Sequence, residues 1–154
     1  MEASLQVFRQ VRGLLMMVVK DLTEEQFLAV PEGFDNNIAW NLGHILVAQR
    51  GLCYRQCGLD MGLPRKMFAM YVPGTSPAGW TSKPDIPALL EMVMGQVQDM
   101  EADHQAGKFS TPYQEMKTTT GLHLRNIEEA TSFNNYHEGL HMGAILALKN
   151  FVVK

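Results

Sequence analysis

The chain has 154 residues, of which 46% are hydrophobic and 19% are charged, a balance typical of one globular domain. The formal net charge is −3 and basic residues form no cluster beyond Arg65 and Lys66, which argues against a nucleic-acid partner. The apolar segment 14–19 is too short to span a bilayer and lacks a signal-peptide cleavage site. We therefore predict a single domain over residues 1–154, a cytoplasmic location, and neither a nucleic-acid nor a membrane partner.

Helical periodicity dominates the first part of the chain. A first helix is predicted over residues 4–20. Its apolar positions at helical spacing are Leu5, Phe8, Val11, Leu15, Val18 and Val19. The capping-box pattern of residues 23–26 predicts a short helical turn that ends before Pro31. Residues 35–37 offer N-cap side chains for a second long helix, which is apolar almost all round and ends near Gly58.

Two long connections and two further helices follow. The proline-rich segment 59–84 contains at most one short helix, around residues 65–70, and a connection of this length is often a functional loop or a pocket lid. The third helix starts after it and ends at Gly107. The Thr-rich segment 108–124 is predicted to be extended or a loop, and the fourth helix runs from about 126 to 151.

These elements imply an all-α fold, a four-helix bundle with long crossover loops. Because both long connections can cross the bundle, a simple up-down-up-down order is not required. We expect the segment 59–84 to bound a pocket, with Pro73 to Pro77 and Trp80 as a fixed rim. The alternative is that this segment packs outside the bundle, far from any functional residue.

Three histidines are the strongest functional signal. His137 and His141 have the spacing H-x-x-x-H, which places both imidazoles on one helix face, one turn apart. His44, on the second helix, could add a third nitrogen and leave open metal positions for water or substrate. A lone histidine on an apolar helix face is more often a hydrogen-bonded core residue, so that alternative stays open for each.

The surroundings of the histidine pair favour a shared metal ion. Asn134, His137 and His141 occupy consecutive turns of one predicted inward face of the fourth helix. The other residues of that face are Ile127, Ala130, Ala144 and Leu148, with Phe133, Leu140 and Ile145 beside it. Burying three polar groups without partners would be costly, and a divalent cation held jointly with His44 would satisfy them.

Helical spacing also suggests residues that orient the ligands. Trp40 and Asn41 lie one turn before the first histidine, and Asn134 lies one turn before the histidine pair. An amide or indole N–H at these positions could orient an imidazole or a metal-bound water, although a core Trp and helix-face polar groups are the alternatives. Glu138 is expected to point about 100° away from its histidine neighbour and to be solvated.

The remaining cysteines and histidines have no ligand-like placement. Cys53 and Cys57 lie about 180° and 220° around the second helix from His44, so we expect two reduced, packed thiols. His104 and His123 are predicted to be surface residues. The glycine loops of nucleotide-binding proteins and the E-x-x-H pairs of di-iron bundles are also missing from the sequence.

Segments 36–44 and 137–143 resemble the two signatures of the DinB-like (damage-inducible, YfiT-like) family. Residues 57–59 and 73–77 also fit a subgroup of it, and the likeness covers nearly the whole chain. The resemblance implies a four-helix bundle in which three histidines bind a divalent metal, typically nickel or zinc. Carried over to this chain, the ligands are His44, His137 and His141.

The resemblance also suggests functions, because some relatives are transferases or isomerases that use a low-molecular-weight thiol. We expect a homodimeric, metal-dependent enzyme, a hydrolase or thiol-dependent transferase acting on a small molecule. The alternatives are a non-catalytic metal-binding or stress-response module, and a bundle whose histidines merely hydrogen-bond. A deep pocket ending at the metal would favour the enzyme, whereas a sealed site would favour the module.

Overall fold

The computed structural model describes residues 1–153 and is built on helices. Four are long: α1 (Glu2–Val19), α3 (Ile38–Gln49), α5 (Ile86–Gln105) and α6 (Ile127–Val152). The short helices α2 (Glu24–Leu28) and α4 (Arg65–Tyr71) lie in the connections. Two short antiparallel strands, β1 (Met116–Lys117) and β2 (His123–Leu124), form a hairpin before α6. The predicted all-α fold is confirmed. None of the helices formed by residues 1–153 has the length and hydrophobicity that crossing a membrane requires.

Side-chain caps fix where the helices begin. The Asn37 side chain accepts a hydrogen bond from the Trp40 backbone N–H at the start of α3. Asp85 caps α5 and Asn126 caps α6 in the same way. The capping box predicted for residues 23–26 is present at α2. Each cap satisfies a backbone donor that the first helical turn leaves free, so the sequence signals coincide with the observed boundaries.

Helices α1 and α3 lie diagonally across the bundle, and each packs against both α5 and α6. Helices α1 and α6 are parallel, because Ser4 contacts Ser132 and Arg12 contacts Glu138. Helix α3 and the turn that follows it run parallel to α5, because Leu46 contacts Gln96 and Tyr54 contacts Asp103. Helices α3 and α6 are antiparallel, because Asn41 faces His141 while His44 faces His137. The directions in chain order are therefore up, down, down and up. The segment between α3 and α5 must return along the bundle, as a crossover connection does.

The second predicted helix is a composite. After α3 the chain continues through a π-helical turn, Arg50–Tyr54, and a 3-10 turn, Arg55–Cys57. It ends at Gly58, whose φ of 69° is left-handed and favours glycine. π-helical turns inside helices occur frequently at functional sites.

A buried ion pair lies at the centre of the bundle and corrects the expected face of α6. Glu138, expected to be solvated, is only 2% exposed and pairs with the fully buried Arg12. Leu140, expected beside the inward face, is 52% exposed. The buried positions of α6 are Ala130, Thr131, Asn134, Glu138, Ile145 and Leu148. The helix is thus rotated relative to the sequence prediction, because a carboxylate can be buried when a guanidinium is buried opposite it.

The core consists of two hydrophobic clusters on either side of this ion pair. One contains Leu15 of α1 with the apolar face of α3, and the other contains Phe8 of α1 with Cys53 and Cys57. Arg12 falls between Phe8 and Leu15 along α1. The ion pair therefore interrupts the apolar core at mid-height, where its cost is offset only by well-made hydrogen bonds.

Candidate metal centre

The three predicted histidines converge on one point between α3 and α6. One ring nitrogen from each of His44, His137 and His141 lies within 4.8 Å of the other two. His44 Nε2 and His137 Nε2 are 3.3 Å apart. Helix α3 supplies one ring and successive turns of α6 supply the other two, so the H-x-x-x-H spacing has the geometric effect that the sequence suggested. This places the residues; their role as metal ligands stays a prediction.

His44 is held in one tautomer by the crossover segment. Its Nδ1 lies 2.7 Å from the Tyr71 carbonyl oxygen, which can only accept, so Nδ1 carries the proton and Nε2 presents a lone pair to the centre. The approach of α4 needs Gly43, because a Cβ there would clash with the Tyr71 ring. Trp40 stacks on the imidazole with 4.8 Å between ring centroids, and its indole N–H donates to Thr75 rather than to a histidine.

His141 is oriented by Asn41, one of the residues predicted to support the site. The Asn41 amide nitrogen donates to Asn36 Oδ1 and to the Asn37 carbonyl oxygen, which turns its own Oδ1 towards His141. His141 Nδ1 lies 2.8 Å from this oxygen and must donate to it. The remaining nitrogen, Nε2, then carries no proton and presents a lone pair. Two of the three imidazoles therefore have their free nitrogen chosen by hydrogen bonds on the other side of the ring.

His137 lacks a partner for one ring nitrogen. Its Nδ1 is buried and has no hydrogen bond among residues 1–153. The ring lies against Phe133, one turn earlier on α6, with 6.4 Å between centroids. Its other nitrogen, Nε2, faces His44, so a cation ligated by this imidazole would take up Nε2 and leave Nδ1 to carry the proton. The residues present therefore fit a divalent metal ion with three nitrogen ligands.

Burial keeps all three imidazoles neutral. It lowers the pKa of His44, partly offset by the bond to Tyr71. Burial and then the neighbouring His44 lower the pKa of His137 to about 4. For His141, burial and then the two nearby imidazoles lower the pKa to about 3. At neutral pH each ring is in the neutral state, with one free nitrogen, that metal ligation requires.

A cavity of about 310 Å³ reaches His44 and His137. Phe68, Val72 and Pro73 from the crossover segment form part of its wall. The prediction that residues 59–84 bound the site is confirmed. The predicted rim is wrong except for Pro73, because residues 74–77 and Trp80 line a separate groove. The indole N–H of Trp80 donates to the Met70 carbonyl oxygen.

Sequence reasoning missed two parts of this cavity. One part comes from the β1–β2 hairpin region and consists of Met116, Thr118 and Thr119. The other part is Arg55, from the 3-10 turn after α3. The Thr-rich composition of the hairpin segment gave no signal of this contact, whereas Arg55 could have been suspected from its position on the helix that carries the first histidine.

The other polar candidates lie elsewhere. Asn134, predicted to orient an imidazole, instead donates from its amide nitrogen to Glu138 Oε1 at 2.9 Å. Cys53 and Cys57 are buried free thiols in the second core cluster, and burial raises the pKa of Cys53 to about 12. Unreactive, packed thiols were the expectation. His123 is exposed and His104 is half-buried, and neither joins the three converging histidines.

The fold and the site define a class: a helical bundle in which two facing helices bring three neutral imidazoles together, two of them on the wall of a cavity. This is the arrangement of a candidate mononuclear metal-binding protein. The sequence model of the DinB superfamily matches residues 8–145, a span that includes all three histidines. The chain therefore belongs to the DinB superfamily, and the resemblance seen in the sequence is confirmed. No curated protein matches the sequence.

Proposed function

We propose that His44, His137 and His141 bind one divalent metal ion, Zn²⁺ or Ni²⁺, and that the protein uses it on a small molecule. The observation that carries this proposal is the convergence of three neutral imidazoles, two of them with the lone pair fixed towards the centre. Imidazole nitrogen suits both metals. The proposed reaction is hydrolysis or transfer of a low-molecular-weight thiol to an electrophilic small molecule.

The residues around the triad have separate tasks in this proposal. The Tyr71 carbonyl and the Asn41 side chain hold two of the imidazoles in position. Phe68, Val72 and Phe133 shield the cavity from bulk water. When bound, a divalent ion with open positions supplies a Lewis acid that lowers the pKa of a thiol or of water. The cavity at His44 and His137 supports catalysis over a non-catalytic metal-binding or stress-response module, which would need no such access.

Metal analysis of untagged, full-length protein tests the ligand assignment. We expect about one equivalent of Zn²⁺ or Ni²⁺, and Co²⁺ substitution should give the visible absorption of a nitrogen-ligated ion. His137→Ala should lose stoichiometric binding, whereas the matched control His123→Ala, at an exposed position, should retain it. Unchanged metal content in His137→Ala would contradict the assignment.

Activity assays then separate an enzyme from a binding module. Metal-loaded protein is incubated with an aromatic electrophile and one of several small thiols, and separately with nitrophenyl esters. Metal-dependent turnover that His137→Ala abolishes supports the enzyme. Stoichiometric metal without turnover in either assay favours the module.

We also propose that the protein is a homodimer. Apolar side chains are exposed on the adjacent helices α1 and α6. They are Val7, Leu14 and Met17 on α1, and Leu140, Leu146 and Phe151 on α6. Exposed apolar residues on neighbouring helices favour self-association. Sedimentation velocity of the wild type against Leu14→Lys tests this, and a monomeric wild type at micromolar concentration would contradict it.

A further inference from the structure

The cavity at the histidines is mainly apolar and includes one arginine. The apolar walls of the cavity at the histidines come from Val47, Ala48, Leu52, Met61, Phe68, Val72, Pro73, Met116 and Phe133. Among residues 1–153, Arg55 is the one lysine or arginine side chain in this lining. No carboxylate belongs to this lining.

Arg55 pairs with no carboxylate of residues 1–153. The guanidinium groups of Arg9, Arg12 and Arg50 pair with carboxylates, whereas Arg55 takes no part in the ion pairs formed within residues 1–153. Arg55 is exposed and belongs to the lining of the cavity. An unpaired guanidinium presents a planar fork of donors that matches a carboxylate or a phosphate.

The cavity has room between this cation and the histidines. Arg55 lies roughly three helical turns beyond His44, or about 15 Å along the axis. The residues of the lining between them include Ala48 and Gly51, and a Cβ added at Gly51 would meet no atom within 4 Å. The small residues at these two positions leave space along this face of the helix, between Val47 and Leu52 of the same lining.

We propose that the cavity takes a small molecule with an apolar body and one anionic group, a carboxylate or a phosphate, and that the anion binds Arg55. The apolar body lies over Ala48 and Gly51, and the opposite end reaches His44 and His137. This proposal names a substrate class for the proposed function. It rests on the proposed function only for the chemistry at the histidines. Binding itself depends on the cavity and on Arg55.

Two fluorescent dyes that differ in one charge test this proposal. 1-Anilinonaphthalene-8-sulfonate is an apolar anion, and N-phenyl-1-naphthylamine is the same skeleton without the sulfonate. Each is titrated into metal-free, full-length protein, and the dissociation constants are measured by fluorescence. Because no metal is present, a sulfonate–metal contact does not contribute. Metal binding by the same preparation is measured separately, so failure here is distinguishable from failure of the proposed function.

Four variants give the expected pattern. Arg55→Gln should weaken binding of the anionic dye about fivefold and leave the neutral dye unchanged, since only the former gains a charged hydrogen bond. Arg55→Lys should keep most of the affinity and shows that the position tolerates change. The control Arg65→Gln, the same charge change at an exposed residue outside this cavity, should alter neither dye. Gly51→Leu should fill the space at this position and weaken both.

The outcomes that overturn the proposal are equally specific. Equal effects of Arg55→Gln on the two dyes, or no effect on either, would mean that Arg55 does not select an anion. Binding of both dyes that survives Gly51→Leu would mean that this cavity does not take such molecules. Displacement of the anionic dye by octanoate and by octyl phosphate then identifies the favoured head group. Octanol that displaces it as well as both anions do would also contradict the proposal.

Discussion

Replacing Glu138 by glutamine should strongly destabilise the protein, because it leaves a buried guanidinium without its counter-charge. Arg12 is 0% exposed, and it donates to Glu138 from Nε at 2.6 Å and from Nη2 at 2.8 Å. Its Nη1 donates to the Val93 carbonyl oxygen, which carries no compensating charge. Removing one partner of a buried pair costs about 3–5 kcal/mol. We expect the lower end, about 3 kcal/mol, because the glutamine oxygen still accepts one hydrogen bond.

Urea unfolding of the metal-free protein, followed by circular dichroism, measures this loss. For a domain of this size, about 3 kcal/mol corresponds to a melting temperature lower by roughly 6–12 °C. The matched control is Glu128→Gln, the same substitution on the same helix, at a carboxylate that pairs with the N-terminal amine and has a 67% exposed side chain. An exposed pair contributes about 1 kcal/mol or less, so this variant should unfold close to the wild type.

The reasoning would be refuted if Glu138→Gln and Glu128→Gln lost equally little stability. A double variant adds a second check. Arg12→Met combined with Glu138→Leu replaces both charges by apolar groups, which is often neutral or stabilising in a buried site. It should therefore recover most of what Glu138→Gln loses, whereas a double variant as unstable as Glu138→Gln would mean that the pair itself is a net source of stability.

Three further predictions concern the metal centre. Gly43→Ala should weaken metal binding and destabilise the fold by about 1–3 kcal/mol, because its methyl group displaces Tyr71, whereas Gly51→Ala, at an open position, should do neither. Asn41→Ala should lower metal affinity about 10–100-fold in a competition titration, because His141 loses the acceptor that fixes its tautomer. Because the pKa of His141 is lowered to about 3 when folded, the unfolded chain takes up more protons below about pH 6.5. The free energy of unfolding of the metal-free protein should therefore fall from pH 7 to pH 4, less steeply in His141→Gln; an identical slope would contradict this.

Local signals in the sequence predicted the helices and the meeting of the histidines. The Asn37 and Asn126 caps and the capping box at residues 23–26 are recognisable from residue type and spacing alone. The pair His137 and His141 needs only helical geometry to share a face. These features depend on neighbours within one or two turns, which is why one sequence was enough to find them.

The rotation of α6 could not be obtained in this way. Periodicity assigns a stripe from apolar residues, and on α6 it favoured a face that includes Leu140 over one that includes Glu138. The correct face depends on Arg12, which is distant in sequence and is buried on α1, whereas the sequence prediction placed its neighbour Val11 on the apolar stripe. The spacing Leu5, Phe8, Arg12, Leu15 and Val19 does place Arg12 on the buried stripe. That a charged side chain can be buried at this position is clear only once Glu138 is known to face Arg12.

This long-range pair also explains why two of the histidines are only half-buried. Glu138 at the centre of the bundle turns His137 away from the core axis, to the side where the cavity opens. A fully inward His137 would be enclosed by core residues and could not reach a substrate. Asn134, one turn earlier on α6, donates to the same carboxylate, so its amide satisfies the buried Glu138 rather than an imidazole. The ion pair costs desolvation energy, but it sets the register in which α6 presents His137 and His141 to His44 of α3.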